Sequence, residues 1–434
     1  MSQCYNNQRR DLILKDVEMS AMEFPIIRQF LIDNVFKMLK SESGVLTHAF
    51  IDPGAGYDYN LWDWDSYFAC DAMLKLCAYC KNDEKFDYQG SIEKVIMHGK
   101  GCVLNFLDLQ LQDGFIPMAC TDKKGYAEFL YMAHENGEPV NQHKPFLAQN
   151  ALNLCEATGD YSWFDIEKLV KYIDYYYANQ YHEKSGLFFW QDDVMIGIDN
   201  NPTVFGRPDK STADIFLNCF VYAELKALSK ILLHKGDERA EEYSEKAENL
   251  KIAINENMFD EKDGIYYSLD VGVHTNQKYV FHKGLGVFWK GLPIKIRFWA
   301  CFLPMMFGIS DERQNRLLLA HIRDKNFECD YGIRTLAKDE KMFNEELTSN
   351  PSNWLGSIWI IANYCVWKGL KRSGFEDEAK NLAQKTIKLL ADDIVENGVM
   401  SESYNSETGK RQMHGGFLNW NCLVIEMMAD IENR

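Results

Sequence analysis

The sequence predicts an all-α fold in which helical pairs close into a toroid around a central pocket, and three observations carry that prediction. Eight segments place apolar residues at helical spacing with charges between them. No linker rich in Pro, Gly or Ser divides the 434 residues, which hold only ten prolines. The long segments between helices differ each time, whereas a stacked solenoid would repeat one side-chain pattern at a fixed period. The expectation is a single catalytic domain over 1–434.

Taken in order, the helical segments are 24–40, 61–80, 144–159, 165–182, 213–236, 239–259, 352–374 and 375–398. Some connections are short and charged, such as KGDE at 235–238. Others are long and rich in Gly, Asp, Asn and aromatic residues, and chemistry is expected there. The strand-like pieces GLFFW (186–190) and GIYYSL (264–269) read as short hairpins on one rim.

Apolar residues make up 46 % of the chain and aromatic residues 13 %, enough for a large core and too many for disorder. A formal charge of −17, without clusters of Lys and Arg, opposes binding to nucleic acid or to an anionic membrane. No stretch approaches the apolar length of a membrane span, and no secretory h-region follows Arg9 and Arg10. The expected location is cytoplasmic. The twelve cysteines lie singly in helical segments, as at Cys70, Cys155, Cys219 and Cys365, which is core usage in a reducing compartment. Cys77 and Cys80 have no second pair or nearby His to complete a zinc site, so no metal is expected.

Three segments hold side chains suited to a sugar. GYDYNLWDWDSYF (56–68) packs three acids, two Trp and three Tyr at a helix start. Aromatic faces stack on pyranose C–H groups while carboxylates accept from hydroxyls. Tyr59, Trp62, Trp64 and Asp65 are the candidates there. FFWQDDVMIGIDNNPTVFGRP (188–208) sets Asp199 among Val194, Met195, Ile196 and Ile198 in a non-helical stretch. Apolar surroundings raise a carboxyl pKa toward the range of a general acid. NGVMSESYNSETGKRQMHGGFLNWN (397–421) carries Glu402, flanked by Met400 and Tyr404 before a Thr-Gly turn, and ends at Trp420.

Two carboxylates on separate loops suit glycoside hydrolysis with inversion, one protonating the leaving oxygen and the other activating water. Their expected separation is about 6.5–9.5 Å. Asp199 is the expected acid and Glu402 the expected base. A sugar phosphorylase or lyase is the competing class, and a base in the Glu402 loop argues against a phosphorylase. Two further stretches read as pocket walls. In HENGEPVNQHKPFLAQN (134–150), His143 and Lys144 precede Pro145 at an expected helix N1, with Gln149 one turn on. YGIRTL (331–336) and NPSNWLGSIWIIANY (350–364) supply Trp354, Gly356 and Trp359.

These motifs together resemble glycoside hydrolase family 63 and, more distantly, the trehalases. WDWDSYF resembles the family's Trp-Asp element, GIDNNP its acid loop, NPSNWLGSIWIIANY its Asn-Pro-Ser and Trp-x-Gly-x-x-Trp stretch, and ESYNSETG its base loop. The resemblance runs nearly end to end. It implies an (α/α)6 barrel and an exo-acting, inverting α-glycosidase that needs no metal or organic cofactor, with Asp199 as acid and Glu402 as base. The chain's size is similar to that of the compact hydrolases of mannosylglycerate and glucosylglycerate, in which an Arg near the acid loop helps bind the glycerate carboxylate. Arg207 stands at the similar place. The chain departs from the family at Ala213 and Ser357. The expected substrate is a short α-linked glucoside or mannoside, first a glycosylglycerate and second an α-glucosyl disaccharide.

Overall fold

The computed structural model describes residues 22–433, apart from 55, 123–124, 274–288 and 348–349. Helices dominate. They are α1 (22–34), α2 (Asp63–Cys80), α3 (Tyr88–Asp108), α4 (Gly125–Glu135), α5 (Leu147–Thr158), α6 (Ile166–Asn179) and α7 (Ile215–Lys235). They continue as α8 (Arg239–Met258), α9 (Leu303–Phe307), α10 (Glu312–Ile322), α11 (Ile360–Arg372), α12 (Glu376–Asn397) and α13 (Val424–Ile431).

Packing among them runs in a circuit. α2 lies on α5, α5 on α7, and α7 on α9 with the 3₁₀ turn Trp299–Phe302 before it; these pack on α11. α11 meets the 3₁₀ turn Asn419–Leu423, which returns to α2, so late chain closes on early chain. α3, α8 and α12 back this circuit from outside, and composition explains the division. α7 is apolar around most of its surface and buries fourteen residues. α8, RAEEYSEKAENLKIAINENM, buries a narrow stripe and gives its charges to solvent.

Local chemistry sets the helix ends. α7 and α12 stop on Gly236 and Gly398 in the left-handed region, and Asp311 with Gln314 forms a capping box on α10. The N-terminus of α5 has no side-chain cap of its own. Glu224, fully buried on α7, instead accepts from the Ala148 and Gln149 amides, and burial pushes its carboxyl up to about 7.

The hairpins expected at 186–190 and 264–269 form: Leu187–Phe188 pairs with Tyr181–His182, and Ile265–Tyr266 with Phe259–Asp260. Ser268–Asp270 is the middle strand of a small sheet, between Leu292–Ile294 and Thr212–Ala213. Two expected helices are much shorter than their patterns. The 24–40 segment leaves α1 at residue 34 and ends as strand Leu39–Lys40 against Phe50–Ile51. The 352–374 segment stays extended to Trp359, because the Asn353 and Ser357 groups bond to neighbouring chain in place of a helical ladder. α3 was hidden by three glycines, of which Gly101 is needed because a Cβ there would run into the Ala49 carbonyl. Pro145 lies ahead of α5, whose first residue is Leu147. Cys70, Cys77, Cys155, Cys219 and Cys365 are buried free thiols. No described helix is long and apolar enough to cross a membrane.

Candidate active site

The N-terminus of α2 organises the site. Trp62 ends the short strand Asn60–Trp62, which pairs with Ala119–Thr121, and α2 starts at Asp63. Asp63 is fully buried and grips one residue with both oxygens. Oδ2 accepts from the Lys144 amide at 2.7 Å, and Oδ1 meets the Lys144 ammonium at 2.6 Å. Trp64 stands at the centre of an aromatic cluster, with Trp420 at 5.1 Å, Phe216 at 6.0 Å and Trp354 at 6.1 Å between ring centres. Trp354 in turn stacks on Trp359 at 3.8 Å.

The GIDNNP loop is placed by its own polar residues. Asn141 anchors its entry by donating to the carbonyls of Asp192 and Val194. Gly197 has φ +86°, and a Cβ there would stand 3.0 Å from the Trp64 indole, so only glycine lets the loop lie across that ring. Asn200 accepts from the Trp354 amide and donates to Asn353, while Asn201 reaches Asp214 at the start of α7. Asp199, just ahead of these two, is left to face the cavity, where Ser352 and Asn350 hydrogen-bond its carboxylate.

Glu402 sits on a ribbon packed against the chain ahead of α11. Ile358 and Tyr404 exchange backbone hydrogen bonds, and the Tyr404 hydroxyl donates to Asp393 of α12. Asn405 closes the turn by accepting from the Glu407 and Thr408 amides. Arg334 of the YGIRTL stretch pins that turn through Ser406 and Glu407. The Tyr57 hydroxyl lies 3.3 Å from both Glu402 oxygens, and Asn419 donates to Asp65.

Asp65, Asp199 and Glu402 line one cavity of about 430 Å³, walled by Trp62, Trp64, Trp359 and Trp420. Burial pushes the Glu402 carboxyl up to about 8, with Asp65 and Asp199 adding repulsion and the Tyr57 hydroxyl opposing. Burial also raises Asp65, to about 7, against the pull of Lys144. Asp199 is raised by burial and held back by Ser352, Lys144 and Asn350. Such a cluster titrates as a unit. A carboxyl raised on folding contributes stability that is full below its unfolded pKa, near 4.5 for Glu402, and lost as pH rises through about 8. Glu402→Gln removes that loss. Thermal melts should therefore show the variant gaining on wild type between pH 5 and pH 8; a constant gap would contradict the assigned shift.

Of the fourteen residues singled out from sequence, eight line this cavity: Asp199, Glu402, Trp62, Trp64, Asp65, Lys144, Trp359 and Trp420. The other six do not. Tyr59 is exposed at φ +58°, packing on Phe50 beneath Lys40. The His143 ring turns into the core against Phe106 and Tyr172, and burial lowers its pKa to about 4. Gln149 spends its amide on the Pro145 carbonyl. Arg207 is paired with Asp270 and Thr212. Trp354 is fully buried behind Trp359, and Gly356 lies against the Phe343 ring. Sequence reasoning missed Tyr57, Asn350, Ser352, Asp193 and Phe205 as lining residues, although each lies inside or beside a segment it had marked.

The family model of the mannosylglycerate hydrolase MGH1-like glycoside hydrolase domain matches residues 58–420. A "Probable mannosyl-oligosaccharide glucosidase" of Schizosaccharomyces pombe is 26 % identical over 255 residues, which is 56 % of this chain and 29 % of that protein. The mannosylglycerate hydrolase of Rubrobacter radiotolerans is 22 % identical over 178 residues, 41 % of this chain and 36 % of that one. The matches thus span less than half the length of these curated relatives. Among solved structures, the GH63 mannosylglycerate hydrolase from Thermus thermophilus in complex with glucose superposes with TM-score 0.66 at 18 % identity, over 92 % of this chain and 99 % of that one. The neutral trehalase of Saccharomyces cerevisiae gives TM-score 0.56 at 13 % identity, over 89 % of this chain and 75 % of that one. These likenesses show the helical glycosidase fold.

Proposed function

The chain belongs to the mannosylglycerate hydrolase MGH1-like glycoside hydrolase family, within family 63, and from that premise we propose that it is an inverting, exo-acting α-glycosidase for a short α-linked glucoside or mannoside. The observation that carries the proposal is the meeting of Asp199 and Glu402, from loops two hundred residues apart, in one tryptophan-walled cavity. We read the helical circuit as an (α/α)6 barrel with this cavity at its mouth.

In this reading Asp199 protonates the glycosidic oxygen while Glu402 takes a proton from the attacking water. The roles need opposite protonation states. The Tyr57 hydroxyl, donating toward both Glu402 oxygens, favours the carboxylate that a base requires. Asp65, fixed by Asn419, accepts from a sugar hydroxyl, and the Trp faces stack on the ring. A cavity of about 430 Å³ lies toward the small end of the roughly 300–1,000 Å³ typical of ligand sites, which suits a sugar end with a small aglycone.

A glycosylglycerate is the first substrate proposed. An α-glucosyl disaccharide is the second, and one observation favours it: Arg207, the cation expected for glycerate, is engaged by Asp270, while exposed Phe205 and Val194 offer an apolar surface at the cavity. Hydrolysis of a panel of glucosylglycerate, mannosylglycerate, trehalose, kojibiose, nigerose, isomaltose and maltose tests both. One member should be cleaved without phosphate. Silence across the panel, or turnover only with phosphate, would contradict the assignment.

A further inference from the structure

Among the described residues, Lys144 is the one basic side chain that lines the cavity, and its surroundings are unusual for a lysine. Its side chain is 1 % exposed. The backbone is locked: the amide donates to Asp63, and the carbonyl accepts the Tyr172 hydroxyl at 2.7 Å and the Phe146 amide at 2.7 Å. The stem passes the acid loop, with Cε 3.3 Å from where a Gly197 Cβ would stand, and the ammonium lies 5.5 Å from the Trp64 ring centre. Asp63 satisfies one of its three N–H donors. Among the described residues nothing else accepts from it. A buried ammonium with spare donors is costly unless something accepts them. On the cavity side the neighbours are Asp65 and Asp199, whose carboxyls its charge pulls downward against the effect of burial.

We propose that Lys144 contacts the substrate, donating its remaining N–H bonds to hydroxyls of the sugar being cleaved, and that Asp63 is the positioning residue that aims it. The proposal rests on the reading of this cavity as the glycosidase site. It makes Lys144 a determinant of which hydroxyls the site requires: a sugar whose hydroxyl there is missing leaves the ammonium unpaired, so discrimination comes from the penalty on the wrong sugar.

The test uses the α-glycosyl fluoride of whichever sugar the enzyme releases, together with its monodeoxy analogues. Wild type should lose about 10- to 100-fold in kcat/KM on removal of one particular hydroxyl. Lys144→Met should lose a similar factor on the parent fluoride and nothing more on that same deoxy analogue. Losses that multiply independently would overturn the proposal. Lys144→Met leaves Asp63 buried and unpaired, so Asp63→Leu/Lys144→Met, which removes both charges, is run beside it. A crystal structure of wild type soaked with the released monosaccharide gives a readout that needs no variant: Nζ should lie within about 3.2 Å of a sugar hydroxyl. An ammonium bonded to Asp63 alone would overturn the contact. If wild type hydrolyses no glycosyl fluoride, the reading of the site fails; if it does and the effects are independent, only the role of Lys144 fails.

Discussion

Glu402→Ala is expected to lose about 10²–10⁴-fold in kcat on every substrate, activated or not, while keeping its cooperative melt. The reason lies in what each bond-breaking step needs. Water is too weak a nucleophile to attack the anomeric carbon without a base, and no improvement in the leaving group supplies one. Glu402 is 5 % exposed and its carboxylate meets the Tyr57 hydroxyl at the cavity wall, so truncation enlarges the cavity and leaves the ribbon's anchors intact. Those anchors are the Ile358–Tyr404 backbone pair and the Tyr404 hydroxyl on Asp393. Steady-state kinetics beside circular dichroism checks the prediction. A variant that lost activity only because it unfolded would contradict it.

Asp199→Asn is expected to behave differently, and the difference assigns the two roles. With a sugar or glycerate leaving group the loss should again be about 10²–10⁴-fold, since the departing alkoxide needs a proton. With a glycosyl fluoride, whose leaving group departs with little protonic help, most of that loss should vanish. Asparagine keeps a partner for Ser352 and Asn350, so the loop is held where it was. If instead the Glu402 variant were the one rescued by fluoride, the acid and base would be exchanged. The proton affinities make that comparison worth having: burial pushes Glu402 up to about 8, and the role of base requires it to give that proton up.

Much of this site was legible in the sequence because its chemistry is written in contiguous segments. The carboxylates Asp65, Asp199 and Glu402 and the indoles of Trp62, Trp64, Trp359 and Trp420 converge as expected. What pattern could not give was the direction in which a side chain points. His143 and Lys144 are neighbours, yet the chain turn before α5 sends one ring into the core against Phe106 and the other side chain into the cavity. Arg207 lies beside the acid loop, but Asp270, sixty-three residues later, claims it. Asp63 read as part of an acidic motif, and only tertiary structure reveals that both of its oxygens serve Lys144. The helices follow the same division. α7 and α12 were bounded closely because apolar spacing and a terminal glycine agree. α3 was missed because its glycines answer to Ala49, Cys70 and Leu154 across the packing interface, not to helix propensity.

The central claim is that Asp199 and Glu402 work from opposite faces of one sugar, with water between the base and the anomeric carbon. Following the first turnovers of an α-linked substrate by proton NMR tests it directly, before mutarotation mixes the anomers. Appearance of the β-anomer first is the predicted result. Release of the α-anomer first would mean retention, a carboxylate acting as nucleophile, and would contradict the account.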